Sequence, residues 1–300
     1  MNCLTRPLVP LLLLASATSF AGTPIEQTRA ANPDARIDVT NVKGSVTVSG
    51  WDKPEVAISG TLGDGAKGLL VEGDASHLTI KVQAPDKQGW FSWGADTRMG
   101  ATELDLKVPR AAAMKIEVVS ADVTLDGVAG RTLDVASVSG KLRLDSGAKE
   151  VGIGSVSGNI ELVGSAERAR LETVSGDIRT RGLTGQVKFD TVSGDIDADN
   201  GAYREVAAGT VSGDISLRGT PAPGARVEVT TMSGDVRLYL PADIAARLRA
   251  STFSGRIRSD FGEVKRPEHG PGSSLDASLG NGDGQVRIET FSGDVEIRKP

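Results

Sequence analysis

Apolar and polar residues alternate along most of this chain, and the alternation changes phase at a recurring five-letter motif. In one copy Val187, Phe189 and Thr191 fall on one parity, and Val192, Gly194 and Ile196 fall on the other. Another copy reads V-E-V-T-T, then M-S-G-D, then V-R-L-Y-L from Val227 to Leu240. A two-residue period predicts strands, because successive side chains of a strand point to opposite faces. A continuous strand cannot send both parities into one core. The motif therefore predicts a corner or bulge that turns the chain and resets which side faces inward.

The motif is T-V-S-G-D or a near copy. Its glycines are Gly140, Gly158, Gly176, Gly194, Gly213, Gly234, Gly255 and Gly293. The first four are 18 residues apart, and the next intervals are 19, 21, 21 and 38. The 38-residue step fits two periods. Ala121, in VVSADVTL, marks a degenerate first copy. A period near twenty is the signature of a solenoid, in which no copy can bury its own apolar face and copies must stack. Each glycine serves either a positive φ or a close approach, and spacing alone does not separate the two.

These patterns predict an all-β protein: a parallel β-solenoid, like a single-stranded β-helix, with an N-terminal antiparallel β-rich cap. The expected divisions are 1–21, 22–110 for the cap and 111–300 for the solenoid, with an inserted loop at 262–284. The cap strands are read from RIDVTNV, SVTVSGW, EVAISGTL, HLTIKVQA and TELDLKVP. ADIAARLRA (242–250) has good helix propensity, but the period demands a strand leading into Thr252, and propensity is the weaker signal. Residues 262–284 are expected to surround an imperfect rung. The last copy ends at Ile297–Arg298, so the C-terminal cap is expected to be that rung or a partner.

Composition changes the picture at the N-terminus. Arg6 followed by the apolar LVPLLLLA (8–15) and Ser19-Phe20-Ala21 reads as a secretory signal, with maturation at Gly22. The apolar core is too short to span a bilayer, and no later stretch approaches a transmembrane helix. The single cysteine, Cys3, precedes the core rather than following it, which argues against a lipid anchor and leaves the mature chain without disulfide or thiol chemistry. The expectation is an exported protein, periplasmic, secreted or at the cell surface. The formal charge is −5 with acids and bases interleaved. No basic stripe points to nucleic acid.

The order of T-V-S-G-D-I copies, with NVKGSVTVSGWDKPEV early, LKVPRAAAMKIEVVSADV at the junction and GNGDGQVRIETFSGDVEIR at the end, resembles the DUF4097 family, labelled putative adhesins. The resemblance covers nearly the whole chain after residue 21. It implies a β-strand repeat protein of the bacterial envelope and supplies no catalytic residues.

Candidate chemistry is sparse. Asp177, Asp195, Asp214, Asp235 and Asp294 form an acidic column if the copies stack, a weak calcium candidate because too few oxygens converge per rung. Asp195, Asp197 and Asp199 share one side of a strand and keep open a polysaccharide-active enzyme, though alternating Asp is also the ordinary solvent face. Ser155, Thr173, Thr191, Thr210, Thr231, Thr252 and Thr290 read as a hydroxyl stacking ladder. His77 and His269 are too few for a zinc site without acids, and no G-x-S-x-G elbow accompanies them. The run GNGDG (280–284) lacks the lysine of a phosphate loop. Trp90, Phe91 and Trp93 cluster, either as a plug over the solenoid end or as a partner contact. The expected role is a non-catalytic envelope scaffold without cofactor or metal, binding an envelope protein or glycan. A polysaccharide lyase or hydrolase is the first alternative, and an envelope-stress regulator acting through a protein partner is the second.

Overall fold

The computed structural model describes residues 22–85, 99–266 and 271–300, and every regular element in them is a β-strand. Most strand pairs are parallel and in register. Leu171 lies beside Phe189, Thr173 beside Thr191, and Ile178 beside Ile196. Each rung has two legs. An inbound leg such as Arg168–Thr173 ends at the motif, and an outbound leg such as Ile178–Arg181 begins just after it. Each period is thus a strand, a corner and a second strand, as the alternation predicts.

The parity switch is the cause. On the inbound leg Val187, Phe189 and Thr191 are buried; on the outbound leg Ile196 and Ala198 are. Both legs therefore face one core, and the rungs below and above complete the apolar cover. About eleven parallel rungs at 4.7–4.9 Å make a rod of roughly 50 Å. The segment around Leu248 follows the period as predicted, forming the strand Ala246–Ser254.

Both ends depart from sequence order. Arg36–Trp51 was expected in an antiparallel cap. Instead it is an internal parallel rung, flanked on one side by Ala113–Val128 and on the other by His77–Gln83 and Thr102–Pro109. Its phase changes across Val42–Gly44, so it is a worn copy of the repeat. His77–Gln83 and Thr102–Pro109 are the two legs of the rung outside it. Among the described residues, antiparallel pairing at this end is confined to three strands: Gly68–Gly73 against the outermost inbound leg, then Glu55–Leu62 and Thr23–Ala30 on the outbound side.

At the far end, Gly284–Ser292 lies between Arg226–Ser233 and Ala246–Ser254, parallel to both. Val295–Arg298 lies between Val236–Tyr239 and Ile257–Ser259. The last copy in sequence is therefore next to last in space. The described residues of 262–283 hold no parallel rung. Ser273–Leu279 runs antiparallel over Ala246–Ser254 and covers the terminal edge, with Val264–Lys265 paired to it in turn. An uncovered edge would be a template for pairing with other chains. The expected C-terminal cap, the last copy itself, is replaced by this returning strand. The run 280–284 is the turn that carries the chain back inward, with Gly280 and Gly282 at φ of 59° and 73°.

Lack of room is common to all eight corner glycines, and Gly140, Gly213, Gly234 and Gly293 also take a positive φ. Gly158, Gly176, Gly194 and Gly255 lie outside the left-handed region, yet a Cβ on each would sit 2.0–2.2 Å from the carbonyl oxygen of the glycine in the neighbouring rung. Gly140 makes the same approach to Ala121, and Gly213, Gly234 and Gly293 to the glycine of their own neighbour. Gly194→Ala is expected to lower stability by about 3 kcal/mol or more, because the atoms its Cβ would meet first are backbone of Gly176, which cannot swing aside. Gly154→Ala, where an added Cβ meets nothing within 4 Å, should shift it by less than about 1 kcal/mol. Urea denaturation of the two variants tests the pair; equal losses would show that crowding at the corner is not what selects glycine.

Candidate functional site

Along the corner edge nine of the rungs present copies of the same motif, and three ladders run along it. The innermost is the hydroxyl ladder. Thr173, Thr191, Thr210 and Thr252 are buried, and each donates its Oγ1–H to the carbonyl of a corner glycine in the adjacent rung at 3.0–3.5 Å. In the Ser155 rung the same position accepts instead, from the Gly158 N–H at 2.9 Å. A buried hydroxyl needs such a partner; Thr231 and Thr290 are buried at the same position without one.

The second ladder is the acidic column, and its geometry gives it a structural task. Asp177 Oδ1 accepts the backbone N–H of Asp195 at 3.2 Å, Asp195 that of Asp214 at 2.8 Å, and Asp214 that of Asp235 at 2.9 Å. Asp235 then accepts from Asp294, and Asp294 from Arg256, at 2.8 and 2.9 Å. The links follow spatial order across the out-of-sequence rung. Arg256 ends the series in the outermost parallel rung, where no further corner N–H needs an acceptor. Lys141 has no acceptor oxygen and interrupts the column between Asp122 and Asn159.

Arginines offset the stacked charge. Arg179 pairs with Asp177 at 2.9 Å, Arg237 reaches both Asp214 and Asp235 at 3.2 and 3.6 Å, and Arg256 pairs with Asp294 at 3.0 Å. The Asp294 carboxyl is held below its ordinary value by the Arg256 backbone N–H, then by that residue's guanidinium. Among the described residues no group of three His, Cys, Asp or Glu could hold a metal ion.

The third ladder faces solvent and was not singled out in the sequence. It is the second letter of the motif: in spatial order Val119, Val138, Val156, Val174, Val192, Val211, Met232, Phe291 and Phe253, each 46–60 % exposed. Phe253 and Phe291 stack with ring centroids 4.9 Å apart. Its signal was legible. A residue next to the inward Thr, Ser or Val that ends the inbound leg must point outward, and in every one of these copies that residue is apolar. Isolated exposed hydrophobics are normal on proteins, but nine in one continuous row are not.

Other candidates separate. Asp197 and Asp199 line a hollow of about 250 Å³ on the outbound face, and Asp199 is ion-paired with Arg218 at 3.3 Å. A larger open trough of about 580 Å³ lies on the inbound face between Asp134, Glu150, Arg168, Arg170, Lys188 and Glu205. Its acids and bases interleave; Glu150 binds Arg168, and Glu205 accepts from Gln186. His77 pairs with Asp38 at 3.0 Å. Burial pushes the Asp38 carboxyl up, but His77 and Arg36 together bring it below the usual value. Trp90, Phe91, Trp93 and His269 lie outside the described residues.

A rod of in-register two-legged rungs, covered at both ends by antiparallel strands, defines a repeat-built β-protein. The chain belongs to the family described as Toastrack DUF4097, whose model matches residues 35–298. Its fold is similar to the crystal structure of a putative adhesin from Parabacteroides merdae ATCC 43184, at 10% identity and TM-score 0.49, covering 92% of this chain and 96% of that one. It is also similar to a putative lipid binding protein from Parabacteroides distasonis ATCC 8503, at 11% identity and TM-score 0.47, covering 93% and 97%. A third is a putative adhesin from Bacteroides fragilis NCTC 9343, at 12% identity and TM-score 0.44, covering 92% and 97%. No curated protein matches the chain. Among the described residues no helix is long and apolar enough to cross a membrane.

Asp214→Ala is expected to cost about 1–2 kcal/mol by stranding the Asp235 N–H, and Asp214→Asn, which keeps the acceptor, much less. Millimolar calcium should move the melting temperature of the wild type by no more than a few degrees, because one oxygen of each carboxylate already serves a backbone N–H. Thermal melts of the three proteins with and without calcium decide between a structural column and a cation site. The Asp294 contribution has a sign as well. Its folded value is depressed, so its stabilisation is present above the unfolded carboxylate value near 3.8 and fades as pH falls through the lower folded one.

Proposed function

We propose that this protein is an exported, non-catalytic envelope component, periplasmic or surface-located, that engages a partner along its corner edge. The observation that carries the reading is the apolar ladder, a row of nine half-exposed side chains held in line by the core beneath it. Such a row costs solubility and adds nothing to the core, and exposed apolar patches of this extent commonly mark interaction sites. The secretory-type N-terminus supports the export part, and membership of the family fits a repeat scaffold.

The interleaved trough supports the same reading over the enzyme alternative. Glycoside hydrolysis uses two carboxyl groups of split pKa on either side of a bond, in a site shaped around the sugar. Here Glu150 is bound by Arg168, and its neighbours open to solvent along a sheet face.

Site-specific photocrosslinking in the envelope tests the proposal. A photoreactive residue at Val174 or Val211 is expected to yield a discrete adduct that the same residue at outward-facing Thr124 does not. Equal adducts from both faces would overturn it, as would turnover of a polysaccharide by the purified protein that Asp195→Asn abolishes.

A further inference from the structure

The apolar ladder is flanked by scattered acids on the inbound side and by the aspartate column on the outbound side, and this narrows the partner. On the inbound side the outward residue two positions before the ladder is Glu117, Glu172, Asp190 or Glu289 in four of the rungs, and small or hydroxylic in the other five. None of the nine is basic. On the outbound side runs the aspartate column, interrupted by Lys141 and ended by Arg256. The bases that pair with the inbound acids, Lys115, Arg170, Lys188 and Arg287, lie two residues further out, away from the ladder. In cross-section most of the edge is therefore an apolar ridge with an acidic rail on its outbound side from Asp177 to Asp294, a broken one on its inbound side, and most of the bases further out.

Resting on the reading above, we propose that the ladder docks an amphipathic α-helix of a partner protein, its apolar stripe on the valines and its flanks carrying lysine or arginine. Spacing favours a helix. Rungs repeat at about 4.8 Å, and one helical turn rises about 5.4 Å, so successive turns stay near successive rungs for several steps. An extended peptide repeats its same-face side chains at about 6.6–6.8 Å and loses step at once. A helix with side chains is about 10–12 Å across. Cationic flanking residues would then lie over rails that start two or three residues from the ridge.

Charge excludes the other occupants. An anionic bilayer would meet both acidic rails. A second copy of the chain packed ridge to ridge would set acids against acids in either two-fold arrangement. A glycan would find rings in only two of the nine positions, at Phe291 and Phe253. The rails can re-pair cheaply, because exposed ion pairs such as Lys188–Asp190 and Arg170–Glu172 contribute only about 0–1 kcal/mol each.

Fluorescence anisotropy with the full chain after residue 21 and three labelled peptides of about 20 residues, some 30 Å as a helix, tests the proposal. The first carries leucine at helical a/d spacing with lysine flanks, the second has glutamate in place of lysine, and the third scrambles the first. The lysine helix is expected to bind with a Kd of about micromolar order, at least tenfold tighter than either control. The triple variant Val174→Thr, Val192→Thr, Val211→Thr should weaken it at least tenfold without changing the melting temperature. If that variant melts lower, Val192→Lys takes its place and should repel the lysine helix alone.

Equal binding of the scrambled peptide would reduce the contact to charge attraction and overturn the helix. So would ladder-dependent flotation with phosphatidylglycerol vesicles, or a dimer in sedimentation that the Thr variant lacks. Photocrosslinks from Val174 alongside failed helix binding would leave the scaffold standing and remove only the helix.

Discussion

The backbone-to-backbone contact at the corner is what the rest of the rod depends on. There each glycine lies so close to the carbonyl of the neighbouring rung that a single methyl group would overlap it. This approach sets vertical register. Register then sets everything stacked on it: Phe189 over Leu171, hydroxyl over hydroxyl, carboxylate over backbone N–H. A slip by one residue would turn every buried side chain outward. The corner prevents the slip because only glycine fits its apex, and each copy places glycine at the same distance from its buried threonine.

The same constraint explains why the acids recur. A corner bends the chain away from the regular ladder and leaves the N–H of the residue after glycine without a strand partner. The aspartate of the adjacent rung supplies the acceptor. Stacked carboxylates repel, by about 1 kcal/mol per pair at this spacing in water. Each also accepts a hydrogen bond from a backbone N–H, worth about 1.5–3 kcal/mol for a charged acceptor, and most have an arginine in reach. The hydrogen bond outweighs the repulsion.

Much of this was legible in the chain. Glycine spacing announced stacked copies, and the change of parity across Thr191–Ile196 announced a corner that turns both legs onto one core. Spatial order was not legible. Gly293 follows Gly255 by 38 residues whether a rung lies between them or the chain doubles back. Only the pairing of Gly284–Ser292 with strands on both sides shows that it doubles back. Arg36–Trp51 was misplaced for a related reason. Alternation reports that a strand is half-buried, not whether its neighbours run parallel, and one worn corner at Val42–Gly44 was a weak guide. The aspartates were visible as a column, but their partners are backbone N–H groups, which carry no letter.

Tucking a rung inward at each end also bears on how the edge holds its shape. In a rod that stacked in sequence order, the last copy would be the outermost and the first to fray, since terminal elements open at the lowest free energy. Here the copies nearest the two chain ends each have parallel neighbours on both sides, and the outermost rungs are covered by antiparallel strands formed from the intervening chain. To peel the C-terminal rung, the chain must break ladders on two sides at once. Phe291 sits on that rung and stacks on Phe253 of the covering one, so the widest part of the apolar ladder rests on the segment held from both sides. A straight apolar row displayed on a narrow edge is useful to a partner only while its members stay in line. The doubled-back rung keeps the bulkiest of them there.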